Sequence, residues 1–431
     1  MASDTVRIKV APMILPWDGD TVQTVYATTH FPATVTNIPN LIRIDPGSGA
    51  RWAQDFVKFT KVQFAVTGVV DVVADLMSTA PPPGAFPANL CPATGSVRRI
   101  EWNVGGDGGN IMITPPLPDA PYGKAIVGDK LPLAVDTLIA QGVQTNAITN
   151  LPTRWLSVGH VDEVIMFIDT NTVLVADPWT AANIMHTAIT NGNGSNTLWE
   201  GLGDYSNPFT TTTYWEATVA VTVGGMYKTN SLPAPGLAAT TNDVTLTFLT
   251  NTFTTGDYLR VDDEVVRVEI VATNDVTVSR QWAQTTATNH CTGTVIYALS
   301  QLLCCNLPIG APCAQTNIAH VTNNLTTALG GYAVNYVKLP VLFNTNAALA
   351  FYANSANVVN CLVHPGHGIF MQDTGSTEFN TYVSNSVPGV IWLRDTWDVY
   401  HVNGGEIHCG TTTRRTIDLA TPWWQRIPNW K

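Results

Sequence analysis

Short runs of β-branched and aromatic residues, separated by Gly, Pro, Asn and Asp, recur along the whole chain. Leu41–Ile44 and Val390–Leu393 are runs of this kind. Such runs favour short strands, and the residues between them favour turns. Apolar residues at helical spacing occur between the runs, at Leu131–Gln141 and Asn317–Leu329. The sequence therefore predicts a mixed α/β fold with many short strands and a few helices.

The composition supports this prediction and excludes two classes of partner. The 431 residues can bury a large core, and only 12% of them are charged, which is about half the usual fraction. The 33 Gly and 27 Pro residues agree with a chain that turns often. A net charge of −11 argues against nucleic acid and against an anionic membrane as partners, because both need clustered Lys and Arg.

Targeting and redox signals point to one cellular location. The first ten residues lack the apolar segment of a signal peptide, and no uncharged run reaches the length of a membrane span. The seven cysteines show no disulfide framework, and their odd number leaves at least one thiol unpaired within the chain. We expect a soluble, cytoplasmic protein, and the sequence leaves its oligomeric state open.

Residues 237–297 differ from the rest of the chain in their residue pattern. Thr, Val and Asp alternate through this stretch, with turn residues such as Asn274-Asp275 between the runs. The pattern predicts four or five antiparallel strands that form a small β-rich module inserted in the main domain, which comprises residues 1–236 and 298–431. The acidic run Asp262–Glu264 is expected to be a solvated hairpin without a chemical role.

Cys409 is the first candidate for catalysis. It follows a short alternating run, stands between His408 and Gly410, and precedes a hydroxyl-rich segment. A thiol at the end of a strand, with glycines that permit close backbone approach, is well placed to act as a nucleophile. The alternative is that Cys409 is a small buried apolar residue, which is the more common role of a single cysteine.

Two further stretches carry polar groups beside aromatic residues. In Leu151–Asp169, alternation predicts a strand that places His160 and Asp162 on the same side, where they could serve one ligand. Asp55 follows a Gly/Ser-rich loop that also contains Trp52. The alternatives are a core histidine paired with a carboxylate, and an aspartate that caps a helix or lies in a solvated turn.

Histidines elsewhere allow a zinc site as an alternative. His364 and His367 lie in H-P-G-H, and His401 and His408 could complete a ligand set. No C-x-x-C or H-E-x-x-H motif accompanies them, so the sequence favours no metal.

Three motifs together resemble a known family. W-x-Q-D at Trp52–Asp55, W-L-S-V-G-H-V-D-E at Trp155–Glu163 and G-E-I-H-C-G-T-T-T-R-R at Gly405–Arg415 are similar to the catalytic domain of the protein-arginine deiminases, which are guanidine-modifying enzymes. The likeness covers nearly the whole chain except residues 237–297. It implies a pseudo-five-fold β/α propeller with the active site at its centre.

The resemblance also implies roles for individual residues. Asp55 and Asp162 would bind the guanidinium, Cys409 would attack its central carbon, and His160 would transfer protons. Trp52 would pack on the methylenes of the arginine. The implied reaction converts an arginine, most readily one in a peptide or protein, to citrulline and ammonia.

Substrate recognition departs from the family. Its members hold the backbone carbonyls of the substrate with arginines after W-x-Q-D, but residues 59–97 contain no Arg, and Asn403 stands where animal enzymes often carry one. Arg98 and Arg99 could substitute, and Val158 is a further candidate for substrate contact. Two alternatives stay open: a deiminase of a small guanidine such as free arginine or agmatine, and a catalytically silent binding protein that attaches through the β-rich module.

Calcium binding departs from the family as well. Animal members are activated by Ca²⁺ on carboxylates, yet Phe56, Lys58 and Met112 occupy positions where the resemblance places acidic ligands, and only Gln54 remains. An ammonium among the ligands would repel the ion. We therefore expect no cofactor and no calcium dependence, with the Lys58 ammonium as the structural cation.

Overall fold

The computed structural model defines the backbone of most of the chain. The described residues are 12–46, 51–64, 68–76, 97–102, 108–130, 132–144, 147–199, 202, 212–220, 226–239, 243–309, 313–346 and 348–427. Residues 97–101 are described by their backbone alone.

Twenty-four strands and nine helices lie within the described residues. The strands are β1 Met13–Ile14, β2 Thr21–Thr28, β3 Leu41–Ile44, β4 Val57–Phe64, β5 Gly68–Asp75, β6 Val97–Glu101, β7 Ile111–Ile113, β8 Ala125–Gly128, β9 Ile148–Leu151, β10 Ile165–Phe167, β11 Thr172–Ala176, β12 Thr229–Ser231, β13 Asp243–Thr247, β14 Tyr258–Val261, β15 Glu264–Ala272, β16 Asp275–Trp282, β17 Val295–Ala298, β18 Asn335–Leu339, β19 Phe343–Thr345, β20 Phe351–Ala353, β21 Leu362–His364, β22 Gly368–Gln372, β23 Val390–Leu393 and β24 Thr411–Thr416. The helices are α1 Ala53–Phe56, α2 Pro132–Ala140, α3 Pro178–Thr190, α4 Tyr214–Thr218, α5 Gln301–Asn306, α6 Ala314–Ala328, α7 Thr377–Ser386, α8 Ile407–Gly410 and α9 Trp423–Arg426. No helix in the described part of the chain is long and apolar enough to cross a membrane.

Five sheets in the described part of the chain share one topology, in which an antiparallel pair is followed by a parallel third strand. Four of them have the strand orders β7-β8-β9, β10-β11-β18, β24-β2-β3 and β21-β22-β23. The fifth contains β4-β5-β6 and has β1 as an additional antiparallel strand beside β4. The predicted mixed α/β class is confirmed. A propeller would require five such units around one axis, and that arrangement stays a prediction.

The largest core cluster lies around β10 and β11, whose side chains are almost entirely buried. Their apolar runs fit a sheet that is covered on both faces. The next helix, α3, begins where Asp177 accepts a hydrogen bond from the Thr180 N–H at 3.0 Å and Pro178 occupies the first turn. Both features are favourable at a helix start. The short connection into β10 is the segment that carries His160 and Asp162.

The strands of the β-rich module belong to one six-stranded antiparallel sheet in the order β12-β17-β14-β15-β16-β13, whose first strand, β12, precedes residue 237. It has its own cluster of buried apolar residues. The sheet joins the main domain through Arg260, which donates to Asn183 Oδ1 at 2.8 Å, and through Tyr297, whose hydroxyl lies 2.7 Å from His186 Nδ1. The division of the chain into two domains stays a prediction.

The acidic run at the β14–β15 turn is only partly solvated. Asp263 is exposed, but Glu264 is fully buried and forms an ion pair with Arg280. The expectation of a solvated run is therefore wrong for Glu264, because the strand that begins there turns its side chain inward.

Two predicted strands around the candidate site are also wrong. His160 precedes a short 3₁₀ helix, Val161–Glu163, and Cys409 lies in α8 rather than at the end of a strand. Hydrogen bonds between residues close in the chain replace the strand that the alternating pattern predicted. The His160 N–H donates to Glu163 Oε1 at 2.9 Å, and the Gly410 N–H donates to the Glu406 carbonyl at 3.0 Å.

Candidate active site

The structure brings three of the predicted catalytic side chains together. One ligand atom from each of His160, Asp162 and Cys409 lies within 4.8 Å of the others, and all three residues are buried. A nucleophilic sulfur, a carboxylate and an imidazole within this range can act on one small group. The spacing of these three ligand atoms would also suit a metal ion.

A third segment, residues 357–360, joins the two that carry these side chains. Asn360 accepts a hydrogen bond from the Cys409 N–H at 3.2 Å and donates to the Asp162 carbonyl at 3.4 Å. Asn357 donates through Nδ2 to the Glu163 carbonyl at 2.8 Å, and its N–H donates to Glu406 Oε1 at 2.8 Å. These amide side chains fix the distance between the thiol and the carboxylate.

Two glycines permit the close approach. A Cβ at Gly109 would lie 2.4 Å from His160 Nδ1 and 2.8 Å from Asp162 Oδ2, so any larger residue would displace both groups. A Cβ at Gly405 would lie 2.8 Å from the Trp52 ring and 3.3 Å from the Cys409 Cβ. Trp52 therefore lies beside the thiol, with its ring centroid 5.5 Å from that of Tyr400.

Asp55 reaches the same region from α1, which packs against α8. Its N–H donates to the Trp52 carbonyl at 3.2 Å, which holds it in this short helix. The Asp55 charge raises the pKa of the Cys409 thiol. All four residues predicted to be catalytic thus belong to one region of the structure, and their catalytic roles stay predictions.

The electrostatics of the site keep the thiol neutral. Burial raises the pKa of Cys409 well above its usual value, and the carboxylates of Asp162, Asp55 and Glu163 raise it further. Burial also raises the pKa of Glu163 to about 7. A cation bound among these carboxylates would oppose the effect and favour the thiolate.

His408 is a member of the site that the sequence interpretation did not identify. Its Nδ1 lies 2.7 Å from Asp162 Oδ2, and its Nε2 lies 3.6 Å from Asp18 Oδ1. Burial lowers the pKa of His408, but the hydrogen bonds to Asp162 and Asp18 outweigh it and the net shift is upward. The hydrogen bond between His408 and Asp162 Oδ2 therefore holds the orientation of the carboxylate.

Asp18 is held in turn by an arginine. Burial acts to raise its pKa, but the hydrogen bond from His408 and the charge of Arg415 lower it overall. Arg415 lies 3.3 Å from Asp18 Oδ1 and donates to the Val363 carbonyl at 2.9 Å. The only sequence signal for this pairing was the position of His408 beside Cys409; Asp18 carried none.

A small cavity of about 40 Å³, here called the inner cavity, lies next to His408. Burial lowers the pKa of Lys58, while the carboxylates of Asp18, Asp162 and Asp55 oppose this. The polar and sulfur-containing residues that line the inner cavity are Asp18, Gln54, Lys58, Met112, His408, Thr411, Thr412, Thr413 and Arg415. Three basic side chains, Lys58, His408 and Arg415, face a single carboxylate, Asp18, in this lining. Ca²⁺ requires oxygen ligands, chiefly carboxylates, so the lining does not suit it.

The remaining predicted substrate contacts are less defined. Val158 is half-buried, and its carbonyl accepts a hydrogen bond from Lys130 Nζ, a contact that the sequence did not indicate. Arg98 and Arg99 lie in β6, and their side chains are outside the described part of the structure.

The four histidines of the alternative zinc site do not form a group with metal-binding spacing among the described residues. His364 and His367 have ring centroids 4.6 Å apart, but His401 bonds to Glu406 at 2.6 Å and His408 to Asp162. Among the described side chains, the group with metal-binding spacing is His160, Asp162 and Cys409.

Several solved structures of deiminases resemble the chain. The agmatine deiminase of C. jejuni with substrate bound is 7% identical, with 96% of this chain and 99% of that chain covered and a TM-score of 0.45. Another structure of the C. jejuni enzyme is 8% identical over 96% and 99%, with a TM-score of 0.43. The agmatine deiminase of Enterococcus faecalis is 10% identical over 96% and 100%, with a TM-score of 0.38. TM-scores below 0.5 do not establish a shared fold, and comparison with the curated proteins gave no match.

A family model gives the decisive comparison. The family described as Protein-arginine deiminase (PAD) matches residues 1–232, which is more than half of the 431 residues. The match includes Asp55, His160 and Asp162 and ends before the β-rich module and Cys409. The resemblance of residues 298–431 stays a prediction. The match over residues 1–232 places this chain in the protein-arginine deiminase family.

Proposed function

We propose that this protein hydrolyses the guanidinium of a peptide-bound arginine to citrulline and ammonia. Deimination of a guanidino carbon–nitrogen bond follows from the family match. That the substrate is a peptide-bound arginine, and not a small guanidine, is our proposal. The observation that carries the proposal is the buried cluster of His160, Asp162 and Cys409 within 4.8 Å, with the Asp55 charge acting on the same thiol.

In the first step, Asp55 and Asp162 bind the planar cation through its N–H groups and orient its central carbon. The bound charge lowers the pKa of Cys409, so the thiol proton passes to His160 and the thiolate attacks that carbon. A carbon–sulfur bond forms, one carbon–nitrogen bond breaks, and His160 donates the proton with which ammonia departs. An S-alkylthiouronium on Cys409 remains.

In the second step, His160 accepts a proton from water, and the resulting hydroxide attacks the same carbon. The carbon–sulfur bond breaks as the carbonyl forms, and the hydroxyl proton passes to the sulfur and restores the thiol. His160 releases the proton that it took from water, and the ureido group of citrulline leaves the site. His408 contributes by holding the orientation of the Asp162 carboxylate, since its Nδ1 lies 2.7 Å from Oδ2. The product has lost the positive charge for which the carboxylates were arranged, which favours its release.

The direct test is citrulline formation from benzoyl-arginine ethyl ester, with free arginine and agmatine compared in parallel. We expect a higher kcat/KM for the ester, because its arginine carries an amide in place of the α-ammonium. A preference for agmatine or free arginine would assign a small-guanidine deiminase. Absence of turnover on all three, with the circular dichroism of a folded protein, would favour the silent binding protein.

We also propose that activity does not depend on calcium. The cationic lining of the inner cavity supports this, because Lys58, His408 and Arg415 leave only Asp18 as an anionic donor there. Citrulline formation is expected to be equal in excess chelator and in added Ca²⁺. The melting temperature should also be unchanged by Ca²⁺, since an ion that does not bind cannot stabilise the folded state. Loss of activity in chelator and its return with Ca²⁺ would contradict the prediction.

A further inference from the structure

The three clustered side chains of the candidate active site carry the donor atoms that zinc prefers. Zn²⁺ binds thiolate sulfur, imidazole nitrogen and carboxylate oxygen, and its open sites keep three protein donors and a fourth position for water. His160, Asp162 and Cys409 supply one donor of each kind, and the three atoms lie within 4.8 Å of one another. Ligand atoms around a tetrahedral zinc ion are about 3.3–3.6 Å apart, so movements of roughly 1 Å by these side chains would complete the site.

One oxygen of Asp162 is available as a ligand. The residue is fully buried, and its Oδ2 lies 2.7 Å from His408 Nδ1. Its Oδ1 is buried as well and has no hydrogen-bond partner among the residues that the structure describes. A buried carboxylate oxygen without a partner costs free energy, which a cation bound at Oδ1 would recover. The bond to His408 meanwhile fixes the carboxylate, as outer partners of metal ligands do.

The chain segments that carry the other two ligands are also fixed. The Cys409 N–H donates to Asn360 Oδ1 at 3.2 Å, and the His160 N–H donates to Glu163 Oε1 at 2.9 Å. Both ligands are therefore held by their backbone, and their side chains need only small rotations to meet one ion. Ligands that are ordered in advance lose little conformational entropy on binding.

The charge around the thiol favours a dication. Three carboxylates, those of Asp162, Asp55 and Glu163, act on Cys409. An ion with two positive charges is attracted to them more strongly than a guanidinium with one. Mg²⁺ and Ca²⁺ take oxygen ligands almost exclusively, whereas the sulfur and the imidazole nitrogen of this group select for zinc and chemically similar ions.

We propose that His160, Asp162 and Cys409 bind one Zn²⁺ ion and that the bound ion inhibits the enzyme. As the sulfur–zinc bond forms, the thiol releases its proton to solvent, and the sulfur can no longer attack carbon. The binding of zinc does not depend on the proposed deiminase function. The inhibition rests on that function, because the ion and the guanidinium of the substrate need the same carboxylate and the same sulfur.

Binding is tested with Co²⁺, which replaces zinc in such sites and absorbs light. Chelator-treated protein is expected to gain a sulfur-to-cobalt charge-transfer band that saturates at one ion per chain, and excess Zn²⁺ should remove the band. This readout needs no turnover. Cys409→Ala should abolish the band, and Asp162→Asn should weaken Co²⁺ binding by about 10- to 100-fold or more.

Inhibition is tested on citrulline formation from benzoyl-arginine ethyl ester. Zn²⁺ at about ten times its dissociation constant, measured by displacement of Co²⁺, is expected to raise KM about 11-fold and to leave kcat unchanged. A chelator should restore the original KM. Mg²⁺ at the same concentration should have no effect, because the donor set does not suit it.

Two variants control for metal binding elsewhere. His367 is exposed and its ring centroid lies 4.6 Å from that of His364, and Cys291 is an exposed thiol in the β-rich module. His367→Ala and Cys291→Ala should therefore keep the band, the stoichiometry and the inhibition.

The opposing outcomes separate this inference from the proposed function. Absence of the charge-transfer band in the unsubstituted protein, or its persistence in folded Cys409→Ala, would overturn the zinc site. A fall in kcat with no change in KM would show that zinc acts elsewhere and would also overturn the inference. Absence of turnover in the chelator-treated protein would instead contradict the proposed function, and the Co²⁺ titration would still decide the metal site.

Discussion

Replacing Cys409 with alanine is expected to lower citrulline formation by about 10⁴-fold or more, because no other group in the cluster can form the covalent intermediate. The unsubstituted protein should also show an unusual thiol. Because burial and neighbouring carboxylates raise the pKa of Cys409, iodoacetamide should label it slowly up to pH 9 in the absence of substrate. Rising pH should speed the labelling, since the thiolate is the reactive form.

Cys291→Ala provides the control for loss of a thiol. Cys291 is exposed and lies in the β-rich module, so its removal should leave turnover unchanged. Mass spectrometry of the alkylated protein distinguishes the two thiols. Retention of more than about one percent of activity in Cys409→Ala would place the nucleophile elsewhere and contradict the mechanism.

Asp162→Asn is expected to produce two opposite effects on the same protein. Turnover should fall about 10²- to 10⁴-fold, because the variant loses two charge-assisted hydrogen bonds to the guanidinium, each contributing about 1.5–3 kcal/mol. The Cys409 thiol should nevertheless alkylate faster at pH 8, since the Asp162 charge is one cause of its raised pKa. Each unit by which that pKa falls speeds labelling about tenfold while the thiol is mostly neutral.

Asp177→Asn is the matched control. Asp177 is also a buried carboxylate, but it caps α3 away from the cluster, and asparagine caps a helix as well as aspartate does. Both turnover and the alkylation rate should stay unchanged in this variant. A fall in the alkylation rate of Asp162→Asn would show that the carboxylate does not act on the thiol and would contradict the assignment of Asp162.

Local patterns in the sequence predicted several elements correctly. The helix expected at Leu131–Gln141 is present as α2, and the strands expected at Leu41–Ile44 and Val390–Leu393 are β3 and β23. The alternation around His160 predicted a strand where a 3₁₀ helix forms. That error arose because the His160 N–H donates to the Glu163 carboxylate and this bond competes with sheet pairing, which the alternation of residues does not reveal.

The sequence alone identified the family and the four candidate catalytic residues, because each of the motifs that carry them consists of a few residues that are neighbours in the chain. The tertiary structure decided what surrounds them. His408 meets Asp162 across 246 residues of sequence, and Asn360 meets Asp162 across 198. A cavity of about 270 Å³ likewise joins Ser157 to Asn354 and Trp397. Contacts of this kind depend on how separate sheets pack, and spacing along a chain carries no information about packing.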